Sequence, residues 1–330
     1  MSKTANKTTP SPSLSALSAK LQKARTETAQ TIFGQEEVID RIFISLIAGG
    51  HVLLIGVPGL AKTLMVETIS TVLGMSSNRV QCTPDLMPAD ILGSEVLEED
   101  AKGKRSFRFI KGPIFTQFLM ADEINRASPR TQSALLQAMQ EERVSVSGHD
   151  HKLPHPFHVL ATQNPLEQEG TYPLPEAQLD RFLMQIDVDY PDEASERAVI
   201  LATTSNDAHK IKNILSVQDL LDLQHFVREM PVGENVINNI LTLVRRARPG
   251  TGAPDIVNKY VEWAPGPRAS QALMLACRAR ALLDGREAPS SDDVLALAEP
   301  ILKHRMSLNY QARADGVTLA DILNALTSDI

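Results

Sequence analysis

Cysteine is almost absent from this sequence, and so are long hydrophobic stretches. Only Cys82 and Cys277 occur among 330 residues, which excludes a disulfide framework or a cysteine-based zinc site and favours a reducing compartment. No apolar run approaches the roughly 18–20 residues that a membrane-spanning helix needs. No apolar segment follows the first lysines, as it would in a secretory signal. We therefore expect a cytoplasmic protein that is neither exported nor inserted into a membrane.

The chain also has no excess of basic residues. Its 33 lysines and arginines stand against 40 acidic residues, a net charge of −7, whereas nonspecific nucleic-acid binding usually shows as a basic excess. The first 30 residues carry +4, which leaves −11 for the rest of the chain. Residues 1–15 are rich in Ser, Thr, Pro and Lys, which predicts a disordered tail, most simply a solvated leader. Apolar spacing then predicts an amphipathic helix over 14–28.

Short apolar segments alternate with helical ones through the middle of the chain. Ser128 before Pro129 marks the start of one such helix, since Ser can cap free N–H groups and Pro loses no needed donor there. Apolar runs separated by helices are typical of a parallel sheet covered on both faces. We therefore predict an α/β core over 16–190. Its five predicted strands are 51–55, 79–83, 117–122, 157–162 and 182–188.

Two insertions interrupt this alternation, and a change of character follows it. Residues 91–114 predict a charged β-hairpin with its turn at 102–104, and residues 143–156 predict a second hairpin around Gly148. Beyond Pro191 the strand patterns end, so we predict a boundary near residue 190 and an all-helical domain over 191–330. Its predicted helices are 193–203, 217–229, 234–246, 268–283 and 292–303.

A phosphate-binding loop is the clearest chemical motif. It approximates the pattern G-x-x-x-x-G-K-[ST], with alanine at the last glycine position. In such a loop, backbone N–H groups and a helix N-terminus cradle phosphate oxygens, Lys62 neutralises β/γ-phosphate charge and Thr63 supplies a Mg²⁺ ligand. We expect Ala61 to take a right-handed helical backbone; the alternative is a chance Gly/Pro turn. The candidate nucleotide-binding residues are Gly56, Val57, Pro58, Gly59, Leu60, Ala61, Lys62, Thr63 and Leu64.

Polar side chains end the two strands that follow this loop. Asp122 could hold Mg²⁺ through a water molecule, while Glu123 polarises the attacking water. Without a phosphate loop nearby, a solvated strand end would be the better interpretation of this pair. The amide of Asn164 could orient the same water, or the Asn164-Pro165 dipeptide could simply begin a turn.

Two arginines could complete this chemistry. Arg181 precedes the last strand and could stabilise transition-state charge on a neighbouring subunit's nucleotide, as an arginine finger does. The alternative for Arg181 is a local ion pair with Asp180 or Glu176. Arg268 begins a helix of the second domain and could fold back onto the γ-phosphate, or could face solvent.

Four histidines within ten residues raise the question of a metal site: His149, His151, His155 and His158. The first two would share one face of a strand, as a metal site needs. Pro154 and Pro156 interrupt that geometry, and no cysteine supports it. A solvent-exposed hairpin is the better interpretation.

The motifs, taken in order, resemble an AAA+ ATPase. More narrowly, the segments GVPGLAKT, ADEINRASPRTQSALLQAMQE, ATQNP and LPEAQLDRF closely resemble the MoxR family, from residue 33 to the mid-320s. The resemblance implies a P-loop core with a central parallel five-stranded sheet flanked by helices, followed by an all-α lid. It also implies that the hairpins over 91–114 and 143–156 are the family's helix-2 insert and pre-sensor-1 hairpin.

The resemblance further implies a role for each motif residue, with ATP and Mg²⁺ as cofactors. Gly34 and Gln35 match the family's segment near adenine. The other roles are Walker A for Lys62 and Thr63, Walker B for Asp122 and Glu123, sensor 1 for Asn164, arginine finger for Arg181 and sensor 2 for Arg268.

These features predict Mg-dependent ATP hydrolysis that drives chaperone-like remodelling or maturation of a protein. The family implies a homo-oligomer, often a hexameric ring, with a von Willebrand factor A domain protein and a client enzyme as partners. One alternative is a nucleic-acid-directed motor or loader, which the acidic charge and the absence of a DNA-binding domain disfavour. Another is a nucleotide-gated binding switch with negligible catalysis, which the Asp122-Glu123 pair and Arg181 disfavour.

Overall fold

The computed structural model of the chain describes residues 14–99, 101, 103–167, 169–204 and 209–328. Within the predicted tail, only residues 14 and 15 fall in this part, where they begin the first helix. The strands are β1 (Val52–Ile55), β2 (Ser77–Gln81), β3 (Gly93–Glu99), β4 (Arg105–Lys111), β5 (Phe118–Asp122), β6 (Arg143–Val146), β7 (His149–Lys152), β8 (His158–Gln163), β9 (Met184–Asp187), β10 (Val261–Trp263) and β11 (Ser307–Leu308).

Helices surround these strands and form most of the second half of the chain. Two short 3₁₀ turns cover Ile124–Arg126 and Lys303–Arg305. The α-helices are α1 (Leu14–Ala29), α2 (Glu36–Ile47), α3 (Lys62–Val72), α4 (Pro88–Leu92), α5 (Pro129–Glu141), α6 (Glu176–Leu179), α7 (Glu193–Thr204), α8 (Val217–Glu229), α9 (Glu234–Arg246), α10 (Asp255–Tyr260), α11 (Pro267–Leu283), α12 (Ser291–Leu302), α13 (Tyr310–Ala314) and α14 (Leu319–Thr327).

The five predicted core strands form one parallel sheet in the order β2-β5-β8-β1-β9. Successive residues of a strand point to opposite faces, so Leu54 joins a buried cluster with α1, α2, α3 and the later helices, while Leu53 joins a second cluster with α5. Both faces are therefore covered, as predicted. The predicted start of α5 is also confirmed, because the Ser128 side chain accepts a hydrogen bond from the Thr131 N–H.

Because the strands are parallel, the sheet has two chemically different edges. The carboxyl-end edge is where β1, β5, β8 and β9 end, and the phosphate loop, the acid pair and Asn164 all follow strands there. The amino-end edge is where the same strands begin, at Val52, Phe118, His158 and Met184. Ligands of open α/β sheets bind outside the carboxyl ends of the strands, so the fold itself points to the first edge.

Both predicted hairpins are confirmed. Strands β3 and β4 pair antiparallel from Gly93 opposite Lys111 to Glu99 opposite Arg105; Lys102, in the predicted turn, lies outside the described residues. Strands β6 and β7 pair around Gly148, whose φ of +82° is one that glycine adopts readily. The hairpins contact each other, since the rings of Phe109 and His151 stack at 3.8 Å.

The five helices predicted within 191–330 are present as α7, α8, α9, α11 and α12. The all-helical expectation omits one feature, a two-stranded antiparallel ladder of β10 and β11. These strands have three residues and two residues, too few for a period-2 pattern to be recognisable. One buried cluster contains side chains from both sides of residue 190, so the predicted domain boundary stays a prediction. No helix in the described ranges is long and apolar enough to cross a membrane.

Helix α1, predicted over 14–28, contacts both halves of the chain. Leu17 and Leu21 are fully buried, and α1 packs against α2 and α3 as well as against α8 and α11. On the lid side, Lys20 Nζ pairs with Asp219 Oδ1 at 2.8 Å. The helix therefore joins the core to the lid.

Candidate functional site

The phosphate loop connects β1 to α3 at the carboxyl-end edge. A Cβ at Gly56 would meet the Val188 carbonyl oxygen at 2.7 Å, so only glycine fits this close approach to the end of β9. Gly59 has a φ of +87° and open space around it. In the described part of the chain, the N–H groups of Lys62 and Thr63 make no backbone hydrogen bond, as in the first turn of any helix. These groups are free to bind an anion.

The expectation for Ala61 was wrong. Its backbone is left-handed, with φ 56° and ψ 19°, and not right-handed helical. Ala61 is the N-cap of α3, and glycine, the residue of the general motif at this position, adopts that conformation without the clash of a Cβ. Alanine therefore introduces local strain at the entrance to the helix.

Lys62 folds back over the loop. Its Nζ donates a 2.5 Å hydrogen bond to the Gly56 carbonyl oxygen. Burial lowers the pKa of Lys62 below its ordinary value, and the carboxylates of Asp122 and Glu123 only partly oppose this shift. Of the other loop residues, Leu60 is buried, Val57 and Thr63 are half-buried, and Pro58, Gly59, Ala61 and Leu64 are exposed.

Thr162 holds the acid pair, and sequence analysis missed it. Its hydroxyl donates to Asp122 Oδ1 at 2.5 Å and accepts from the Glu123 N–H at 2.9 Å. Thr162 is fully buried in β8, so it fixes both acids against the neighbouring strand. The available signal was the threonine in ATQNP, at the end of the predicted strand over 157–162.

The edge strand β2 also binds both acids. Arg79 Nη2 donates to Asp122 Oδ2 at 2.5 Å and to Gln81 Oε1 at 2.9 Å. Gln81 Nε2 in turn donates to Glu123 Oε2 at 2.7 Å. Sequence analysis assigned these side chains no role, because the predicted strand over 79–83 does not reveal which strand it adjoins.

The donor set at this edge suits Mg²⁺. This cation prefers oxygen ligands and is usually held by one or two carboxylates together with substrate phosphates and waters. The hydroxyl of Thr63 and the carboxylate of Asp122 provide such oxygens, next to the backbone groups that would hold phosphate. The residues present therefore fit a magnesium nucleotide.

Asn164 is part of a turn in this structure. Its Oδ1 accepts from the Leu166 N–H at 3.1 Å, and its Nδ2 lies 3.4 Å from Glu167 Oε2. Arg126 pairs with Glu167 at 3.0 Å and lies 3.5 Å from Glu123 Oε2. The contacts of Asn164 are thus those of a residue that begins a turn. Glu167 and Arg126 connect Asn164 to Glu123 of the acid pair.

The predicted adenine segment lies at the same edge. Gly34 has a φ of +68°, and a Cβ there would meet the Ser195 Cβ at 2.5 Å. Gln35 is buried, and its Nε2 donates to the Asp189 carbonyl oxygen at 2.8 Å. Both residues therefore pack on the segment that follows β9, which also meets Gly56 at Val188.

Arg181 and Arg268 lie at the amino-end edge, away from the phosphate loop of their own chain. They line a cleft of about 240 Å³ together with His51, Gln140 and Gln271. Arg181 Nη1 donates to the Leu136 carbonyl oxygen at 2.6 Å, and not to Asp180 or Glu176. Arg268 is exposed, and its Nη1 lies 3.6 Å from Asp180 Oδ2.

The four clustered histidines do not converge. His149 and His155 are exposed, and His151 stacks on Phe109. His158 is buried, and its Nδ1 atom lies 2.9 Å from the Gly50 carbonyl oxygen. Burial lowers the pKa of His158 to about 4. Within the described ranges, no group of three or more His, Cys, Asp or Glu side chains is arranged to hold a metal.

Comparison with known sequences agrees with this geometry. Residues 51–184 match the sequence model of the ATPase family associated with various cellular activities, and residues 254–326 match that of the AAA lid domain. A phosphate loop and an acid pair at the carboxyl-end edge of a five-stranded parallel sheet, followed by this lid, define the class of AAA+ ATPases.

Full-length relatives narrow the class to a family. The chain is 41% identical over 313 residues to the chaperone MoxR1 of Mycobacterium tuberculosis, covering 94% of this chain and 81% of that protein. It is 31% identical over 325 residues to the protein MoxR of Paracoccus denitrificans, covering 92% and 93%. A solved structure from Cytophaga hutchinsonii, provisionally assigned as an ATPase, superposes with a TM-score of 0.89 at 36% identity and covers 96% of both chains. The chain belongs to the MoxR family of AAA+ ATPases, which are nucleotide-binding, chaperone-like proteins.

Proposed function

We propose that this protein hydrolyses ATP with Mg²⁺ at the carboxyl-end edge and uses the cycle to remodel or mature another protein. The observation that carries the proposal is the convergence at this edge of groups from separate elements: the α3 N-terminus with Lys62, and the pair Asp122 and Glu123 held by Thr162. A composition with only two cysteines also favours our assignment to the cytoplasm.

Binding would use the loop residues from Gly56 to Leu64. Their N–H groups would donate hydrogen bonds to the phosphate oxygens, and the Lys62 ammonium would exchange the Gly56 carbonyl oxygen for β/γ-phosphate oxygens. Gly34 and Gln35 would flank the adenine. Bound Mg²⁺ would neutralise phosphate charge, with Thr63 and Asp122 as its ligands from the protein.

Hydrolysis would need the acids to change partners. Glu123 would leave Gln81 in order to polarise the attacking water, and Asp122 would leave Arg79 in order to face the metal. The Asn164 amide would orient the water, since it lies next to the acid pair through Arg126 and Glu167.

Arg181 and Arg268 would act on the nucleotide of a second copy of the chain. They share one cleft at the edge opposite their own phosphate loop, so a head-to-tail ring would bring this cleft against a neighbour's carboxyl-end edge. We propose such a homo-oligomer, most simply a hexamer. Arg181 would serve as the arginine finger and Arg268 as sensor 2.

For partners, we propose a von Willebrand factor A domain protein and a client enzyme, following the family. A nucleotide-gated binding switch is the second candidate, because both acids are engaged by β2 side chains in this structure. A nucleic-acid motor is less well supported, since the net charge is −7.

The test uses Glu123→Gln protein, with Lys62→Ala as the matched control. In the presence of Mg-ATP, Glu123→Gln should bind ATP without hydrolysing it and should retain protein partners from lysate in native mass spectrometry. Lys62→Ala should bind neither ATP nor those partners. A ring that carries nucleic acid would favour the motor. If wild-type protein binds ATP tightly but turns it over no faster than Glu123→Gln, the switch is correct and the proposed hydrolysis is wrong.

A further inference from the structure

Arg305 is a buried lid arginine whose hydrogen bonds converge on the segment that carries Arg181. Its side chain is 2% exposed. Its Nε donates to Asp180 Oδ1 at 2.7 Å, its Nη2 to the Phe182 carbonyl oxygen at 2.7 Å and its Nη1 to the Leu183 carbonyl oxygen at 3.1 Å. The guanidinium therefore binds the chain on both sides of Arg181.

Asp180 connects this arginine to the second cleft residue. While Oδ1 accepts from Arg305, Oδ2 faces Arg268 Nη1 at 3.6 Å. His304, next to Arg305, lies 3.1 Å through Nε2 from the Phe182 carbonyl oxygen. Two adjacent lid residues and one core carboxylate thus join both cleft arginines to a single network.

The physical character of this network makes it rigid. An uncompensated buried charge is strongly unfavourable, so Arg305 must keep its carboxylate and carbonyl partners. A guanidinium is planar, with five donors in a fixed fork, and cannot rotate one hydrogen bond independently of the others. A movement of the 3₁₀ turn Lys303–Arg305 must therefore carry residues 180–183 with it.

We propose that Arg305, with Asp180 as its partner, is a positioning residue that ties Arg181 and Arg268 to the lid. The lid orientation of one subunit then sets the rate of ATP hydrolysis in the adjacent subunit. This inference rests on the proposed function, specifically on the action of Arg181 on a neighbour's nucleotide.

The test is Arg305→Lys, which keeps the charge and loses the fork. We expect turnover to fall about 10- to 100-fold because Arg181 is misplaced, with ATP affinity unchanged within about twofold. Mixing Arg305→Lys with an equal amount of Glu123→Gln should restore about a quarter of wild-type turnover, since random head-to-tail mixing pairs an intact Glu123 with an intact arginine edge at that share of interfaces. A mixture with chains carrying both changes should show no recovery.

Arg286→Lys is the matched control, because Arg286 is also a lid arginine bound to a buried carboxylate, that of Asp293, but does not contact residues 180–183. It should keep wild-type turnover. If Arg305→Lys does not fold, Asp180→Asn provides the second variant, with the same complementation expected. Unchanged turnover, or a loss that Glu123→Gln chains do not restore, overturns the inference. Failure of the proposed function shows separately, as equal turnover of wild type and Glu123→Gln.

Discussion

The two edges of the central sheet differ in how their charged groups are held. At the carboxyl-end edge, the partners Arg79 and Gln81 are exposed side chains of an edge strand. At the amino-end edge, Arg305 is enclosed and binds main-chain oxygens as well as Asp180. Exposed partners can be exchanged for ligand groups at little free-energy cost, whereas a buried guanidinium cannot give up its partners. The first edge is therefore built to rearrange on binding, and the second to move as one body with the lid.

The largest expected effect separates the roles of the two edges. Arg181→Ala should lower ATP turnover about 10³-fold or more while leaving ATP affinity unchanged, because an arginine finger stabilises charge that develops only in the transition state. Steady-state hydrolysis and equilibrium ATP binding measure the two effects. Lys62→Ala should differ from Arg181→Ala in that ATP binding itself is lost.

Mixing these two chains sharpens the comparison further. Lys62→Ala chains retain an intact amino-end edge, so they should restore hydrolysis to Arg181→Ala chains if the edges meet between subunits. Absence of any recovery would mean that Arg181 has a local structural role instead, such as its hydrogen bond to the Leu136 carbonyl oxygen.

The effect of intermediate size is a dependence of the free energy of unfolding on pH, and it arises from two histidines at the amino-end edge. Burial lowers the pKa of His51 to about 3 and that of His158 to about 4, from an ordinary value of 6.5. Below pH 6.5 the unfolded chain takes up protons that the folded chain excludes, so stability falls as the pH falls towards 4. Each histidine should remove about 2 kcal/mol from the free energy of unfolding between pH 7 and pH 5.

Denaturant unfolding at pH 7 and pH 5 measures this loss. His158→Asn is the matched variant, since the asparagine amide can replace the Nδ1–H group that faces the Gly50 carbonyl oxygen. Between pH 7 and pH 5, the free energy of unfolding of this variant should fall by about 2 kcal/mol less than that of the wild type, because one of the two histidines is absent. An identical loss in both proteins would show that His158 does not resist protonation.

The smallest expected effect is on the carboxyl-end edge. Ala61→Gly should raise the free energy of unfolding by about 1 kcal/mol, because glycine adopts the left-handed backbone at this position without strain. Urea unfolding is the measurement, and Ala19→Gly, at an exposed site inside α1, should lower stability instead by about 0.5–1 kcal/mol. Destabilisation by both substitutions would show that Ala61 is not strained.

Local patterns predicted most of the fold. The five strands, both hairpins and the principal lid helices each have their own apolar spacing and turn residues, so each could be recognised alone. What could not be predicted depends on distant contacts. Gln81 meets Glu123 across 42 residues, and Arg305 meets Asp180 across 125.

The dependence on distant contacts also explains which residues of the candidate site could be predicted. Lys62, Asp122 and Glu123 could be assigned because their motifs follow recognisable strands. For Arg268 the sequence left two alternatives open, the γ-phosphate or solvent, because the packing of the lid decides its position beside Asp180 and no local pattern encodes that packing. The backbone of Ala61 is left-handed and not right-handed as predicted, because the path of the loop, more than the size of the side chain, determines its φ.

The position of α1 bears on how the chain acquires its structure during synthesis. The helix is made well before its lid partners: Lys20 pairs with Asp219, 199 residues on, and Glu27 accepts from His209, 182 residues on. Its apolar face, with Leu17 and Leu21, therefore stays without its full set of neighbours until α8 and α11 have been translated. Contacts of such long separation form late and slowly, so the fold closes only after the lid has left the ribosome.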